Sequence, residues 1–205
     1  MHIPLYLPKI ENDMTKIASR CLLALWLMAA IACQQQPAPA DNSAADTTIL
    51  KAPYADVFYD SLQLVIADYY TLSSALVKAD TNAANAAALT LRQHLDSLPL
   101  GLLQVDSSRL SVIRENTGSI SAEVAGLLLE KTLDNKRASF EMISDLLFDL
   151  VKTTGIKGKT IYRQYCPMAF NNKGAYWLSD TTEVLNPYFG DKMLHCGEVT
   201  DTLHY

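Results

Sequence analysis

Four sulfur-bearing side chains near the C-terminus have the types and spacing for soft-donor chemistry: Cys166 and Met168 in Cys166-Pro167-Met168, and Met193 and Cys196 in Met193-Leu194-His195-Cys196. Once an N-terminal leader is set aside, the chain holds three methionines, and two of them stand beside its only two free cysteines. Thiolate and thioether are polarizable donors that select Cu(I) or Ag(I) over hard cations. In an extended segment, Cys-x-Met would put both sulfurs on one side, whereas Met193 and Cys196 share a face only if their segment makes a helical turn. His195 is a secondary donor. Trp177, the only tryptophan beyond the leader, either adds a cation–π face to such a site or anchors the C-terminal segment to the rest of the fold.

Two other uses of the same residues stand beside metal binding. Cys166 and Cys196 can pair as a disulfide, closing a loop of about 30 residues and stabilising the fold by roughly 3 to 4 kcal/mol on the chain-entropy reading. Met168 and Met193 can simply fill gaps in a core. Zinc on Cys166, Cys196 and His195 lacks the paired Cys-x-x-Cys or Cys-x-x-His spacing of closed structural sites. Catalysis finds little support. There is no Gly-x-Ser-x-Gly elbow, His-Glu-x-x-His or glycine-rich phosphate loop, and a Cys166–His195 nucleophilic pair would lack a local signature, so the expectation is a non-enzyme. His94 and His204 have no partner visible in the sequence.

The cysteine count depends on the first 52 residues. Met14 opens an export signal: Lys16 and Arg20, an apolar run from Cys21 to Ala32, then Cys33. The run is shorter than the roughly 20 apolar residues that span a bilayer. Ala30-Ile31-Ala32-Cys33 resembles a lipobox, with Ala30 where Leu is commoner, so residues 1–32 read as a cleaved signal and Cys33 as a lipid-bearing first residue. Residues 33–52 lack a core-forming pattern, carry Pro37 and Pro39, and read as a flexible tether. The expected address is the periplasm, anchored to a membrane; Gln34 in the second mature position turns the preference to the outer one. Losing Lys9, Lys16, Arg20, Glu11 and Asp13 moves the formal charge from −5 to −6, which disfavours nucleic acid as a partner. An oxidising address strengthens the disulfide reading of Cys166 and Cys196.

Residues 53–205 suit a single domain. Tyr54, Phe58, Leu62, Val65, Tyr69, Leu72 and Leu76 recur at steps of three and four, the stripe of an amphipathic helix, with Pro53 in its first turn. A second helix follows Asp80 and carries Ala84, Ala88, Leu91, Leu95 and Leu98 to Pro99. A third starts near Asp106 or Ser107, with Leu110, Ile113, Ile120, Val124 and Leu127 inward and Gly118 as a weak point. In the fourth, Asp134 is the expected N-cap, Phe140, Ile143, Leu147 and Leu150 form the stripe, and Gly155 is an expected αL stop. The fold class is therefore mainly α, an up-down four-helix bundle. From about residue 155, five of the eight glycines crowd into a small irregular appendage. It is expected to contain short strands at Thr160–Tyr165 and Ala175–Leu178 and a turn at Asn186-Pro187-Tyr188-Phe189-Gly190.

Four motifs in that appendage resemble the tail of a bacterial family, domain of unknown function 3347: Tyr165-Cys166-Pro167-Met168-Ala169, Gly174-Ala175-Tyr176-Trp177-Leu178-Ser179, Asn186 through Leu194, and Cys196-Gly197. The resemblance extends back through Arg137, Ala138, Phe140 and Ser144 and more weakly to Tyr54. Similar domains occur on periplasmic adaptors of copper and silver efflux pumps. What the resemblance implies is metal handling with Cys166, Met168, Met193 and Cys196 as matching ligands and an efflux component as partner. His195 lies outside the pattern.

Overall fold

In the computed structural model, residues 50–205 are described; the expected export signal, Cys33 and the expected tether up to residue 49 lie outside the described residues. Four helices follow in order: α1 (Asp56–Val77), α2 (Thr81–Asp96), α3 (Ser107–Leu129) and α4 (Leu133–Thr154). Each packs on its sequence neighbour, giving the up-down bundle that the apolar stripes predict. Phe58, Leu62, Val65, Tyr69, Leu72 and Leu76 of α1 are sealed from solvent, as are Ile113, Ile120, Val124 and Leu127 of α3 and Phe140, Ile143, Leu147 and Leu150 of α4. On α2 the inward residues include Ala84, Ala87 and Ala88, whose small side chains let the helix lie close to its neighbours. Among the described residues, no helix is long and apolar enough to cross a membrane.

The helix ends differ from expectation in four places. α2 closes at Asp96, so Leu98 lies beyond its end. α1 starts at Asp56, with Pro53 outside it, because the Tyr54 amide donates to the Tyr59 hydroxyl (3.2 Å) and bends the entering chain. The N-cap of α4 is Thr132, whose Oγ1 accepts from the Asn135 amide; Asp134 sits inside the first turn, where its carboxylate suits the helix dipole. Gly155 does end α4 at positive φ, but with ψ of 175° it is extended rather than αL, turning the chain straight out toward the sheet. Asp80 and Asp106 cap α2 and α3 as expected, and α3 passes through Gly118 unbroken.

The appendage is more regular than its glycine content suggests. Strands β1 (Thr160–Cys166), β2 (Ala175–Ser179) and β3 (Glu198–His204) form an antiparallel sheet in the order β2-β1-β3. β3 was not foreseen: it is mostly exposed, so it carries no apolar alternation to read. β2 packs on α4, and Ile161, Trp177 and Leu178 join the same apolar cluster as the helices. Buried polar bonds fasten the two parts. The Leu178 amide donates to the Tyr69 hydroxyl (3.0 Å), which donates to Ser144 Oγ (2.7 Å), itself bonded to the Phe140 carbonyl. Burial pushes the Tyr69 phenol far above its ordinary range, so it remains a neutral donor. On the central strand, Arg163 lies between the rings of Phe148 and Tyr176, 4.2 and 3.8 Å from their centres, and pairs with Asp145.

Candidate functional site: a thiol pair and a methionine-lined cavity

Cys166 closes β1, and β3 runs antiparallel beside it with Glu198 opposite Tyr165. Continuing that register puts Gly197 opposite Cys166 and Cys196 one residue further on, and the two Sγ atoms are 3.0 Å apart. That is about 1 Å beyond the covalent separation. Both cysteines are free thiols, Cys166 buried and Cys196 partly so. Bonding to Cys166, with some burial, pushes the Cys196 thiol up to about 11.

The segment carrying Cys196 is held by one residue. Asn186 is fully buried; its Nδ2 donates to the Cys196 carbonyl (2.7 Å), its Oδ1 accepts from the Tyr188 and Phe189 amides, and its own amide donates to the Leu194 carbonyl. The Cys196 amide donates to the Met193 carbonyl (3.0 Å), so Met193 to Cys196 is a tight turn. Gly197 has φ of 144°, and a Cβ there would stand 2.8 Å from the Trp177 ring. Only glycine lets the indole close over the strand entrance beside Cys196. Trp177 is 1% exposed and meets Tyr188 edge to face, the arrangement of an anchor for the sheet.

The methionines go elsewhere. Cys-x-Met requires an extended segment to align its sulfurs, but β1 ends at Cys166 and Met168 is in the αR region at the start of a turn. Cys166 therefore points into the core, and Met168 is 46% exposed. Met168 and Met193 instead line a cavity of about 480 Å³ with Asp134, Arg137, Phe170, Tyr188 and Phe189; neither cysteine is among its walls. The structure thus joins the sequence candidates in two pairs, thiol with thiol and thioether with thioether. His195 is exposed and donates from Nδ1 to the Val184 carbonyl (2.9 Å), leaving Nε2 outward. Among the described residues, no cluster of three or more His, Cys, Asp or Glu side chains is arranged to hold a metal. The two other histidines of the domain have partners: His94 with Asp68 of α1, and His204 with the Thr160 hydroxyl.

Three residues that organise this region escaped the sequence reading. Asn186 could have been suspected from the Asn-Pro turn. Gln164 in the central strand donates to the Thr181 and Glu183 carbonyls and leaves Oε1 without a partner, with nothing local to signal it. Arg137 reads as a packing residue of α4, yet it clamps two distant carbonyls, Pro187 (2.8 Å, from Nε) and Leu76 (3.1 Å, from Nη2). Gly190, at φ of 58°, sits where a Cβ would collide with the Val77 carbonyl and crowd Arg137, so the 186–190 loop needs glycine there to dock.

Residues 65–159 match the model of a family described as Protein of unknown function (DUF3347). That is the family the appendage motifs resemble, but the matched span runs from within α1 to the residue before β1, so it covers Arg137, Phe140 and Ser144 and none of the four sulfur positions. No curated protein and no solved structure matches the chain.

Proposed function

We propose that this chain is an exported, non-enzymatic interaction module, held at the periplasmic face of a membrane through a lipidated Cys33, whose appendage is pinned by a Cys166–Cys196 disulfide. The observation that carries this reading is the 3.0 Å approach of two thiols, one of them buried, where β1 ends and the chain enters β3. Oxidation needs a partner disulfide. A thiolate from the more accessible Cys196 attacks it, and Cys166 then displaces the partner's sulfur, leaving the disulfide here and a dithiol there. The high thiol value suits a structural pair better than a reactive nucleophile, because little thiolate exists near neutral pH.

A second reading keeps one observation in its favour. The two softest donors are adjacent, and Met193 opens the turn that Cys196 closes, so Cu(I) or Ag(I) could be held by the two thiolates with Met193 approaching, and passed to an efflux component. Met168 would have to leave its cavity to join, and the Cys196 thiol would have to lose a proton that its bond to Cys166, with some burial, retains.

Mass measurement of periplasmic protein after alkylation separates the two. The disulfide reading expects the pair to resist alkylation until reduced, and the reduced pair to gain reactivity mainly as pH rises from about 9 toward about 11. The sign is fixed by the raised value: the fold favours the protonated thiol, so the associated stability is full below the ordinary thiol range and is lost as pH climbs through the folded one. Free thiols in the cell, together with Cu(I) competition against a chelator that Cys166→Ser/Cys196→Ser abolishes, would establish the metal reading instead.

A further inference from the structure

Arg137 stands in the wall of the methionine-lined cavity at 6% exposure. Its Nε and Nη2 are spent on neutral carbonyls. Nη1 makes no hydrogen bond among the described residues; the carboxylate facing it, Asp134, is 3.8 Å away on a side chain 94% exposed to water. An exposed carboxylate at that range offsets little of a buried guanidinium's charge. The wall is therefore positive, and one strong donor is unspent. Apart from Asp134, Asn171 and Asn172, the remaining walls are soft and apolar: Met168, Met193, Phe170, Tyr188 and Phe189.

A second, independent feature lies on the same rim. Phe170, Asn171 and Asn172 are three consecutive non-glycine residues at positive φ (49°, 58° and 67°). Side chains with a Cβ rarely adopt that conformation, and three in succession cost free energy that must be recovered by what they position. What they position is the Phe170 ring, set edge-on to Tyr188 at 5.3 Å, so that the cavity acquires an aromatic side. The volume is in the range of small-molecule sites, roughly 300 to 1,000 Å³.

We infer that this cavity binds a small apolar carboxylate, its oxygens accepting from Arg137 Nη1 and its hydrocarbon body lying against the two methionines, Phe170 and Tyr188. The methionines then have a use that needs no metal: flexible thioethers that adapt to the ligand's shape. The site stands apart from the thiol pair and does not depend on its oxidation state.

The test is a titration of the full chain, labelled at its methionine methyls, with phenylacetate as probe. The Met168 and Met193 signals should shift saturably with one common Kd, while Met142, on α4 and absent from the cavity wall, does not. Phenylacetamide, nearly the same shape without the charge, should bind about tenfold more weakly, having lost a charge-assisted bond. Met168→Glu alters an exposed position and should retain the fold while abolishing binding, which avoids removing Arg137 and its structural bonds. Absence of a saturable shift, a Met142 shift in step with the others, or equal affinity for the amide would overturn the site. Competition by inorganic phosphate at equal strength would also overturn it, because an anion alone would then suffice.

Discussion

The helical bundle and the C-terminal sheet are built on different principles. Each helix of the bundle buries a continuous apolar stripe, and its interior is filled mainly by leucine, isoleucine, valine, phenylalanine and alanine. The sheet has few such residues and relies on single polar atoms with long reach: Tyr69 to Leu178, Asn186 to Cys196, Gln164 to Thr181 and Glu183, Arg137 to Pro187. A stripe is redundant, since losing one member leaves the others in place. A polar clamp is not, because each buried group left unpaired costs about 1–3 kcal/mol. The difference teaches where to look for sensitivity: stability in the bundle, position in the sheet.

The largest break should come from Phe140→Ala. Phe140 is fully buried, stacks on Tyr69 at 5.0 Å and meets Tyr188, so it belongs to both regions. Removing it should cost roughly 3–5 kcal/mol. Chemical denaturation followed by helical circular dichroism and by Trp177 fluorescence should show both regions unfolding together; separate transitions would mean that the shared core does not couple them. Asn186→Ala should act on one side only. It removes three side-chain bonds around the Cys196 segment but no apolar packing, and about 1–3 kcal/mol should be lost locally. Hydrogen exchange should accelerate at the β3 amides with α1 to α4 protected as before, and equal acceleration in the helices would defeat the distinction. The smallest effect has the opposite sign. Gly118 lies inside α3, and a Cβ there meets nothing within 4 Å, so Gly118→Ala should stabilise the bundle by about 0.5–1 kcal/mol, read as a higher denaturation midpoint.

The same contrast decides what could be read from the chain alone. The four helices were legible because their apolar residues recur at the helical period, as in Phe140, Ile143, Leu147 and Leu150, and because Asp80 and Asp106 mark two of the starts. The exact start of α4 was misplaced because Thr132 and Asp134 are both good caps, and only the bond to the Asn135 amide chooses between them. β1 and β2 carry enough apolar character to be seen. β3 does not, so the sequence offered the Cys166–Cys196 pairing only through the cysteine count, while the contact itself follows from the antiparallel pairing of β1 with β3. The extended geometry that Cys-x-Met needs is absent for a local reason: the backbone turns after Pro167, leaving Cys166 buried and Met168 exposed.

The sequence by itself determined the helix count, the order of the four helices and of β1 and β2, and the identity of the candidate residues, because periodicity and residue type are local properties of the chain. Only the tertiary structure decided which candidates meet. It paired thiol with thiol through strand register, gathered Met168 and Met193 around Arg137 through the docking of the 186–190 loop on α1 and α4, and left one guanidinium nitrogen facing that cavity. Those outcomes depend on contacts between residues far apart in the chain, and no local pattern encodes a long-range distance.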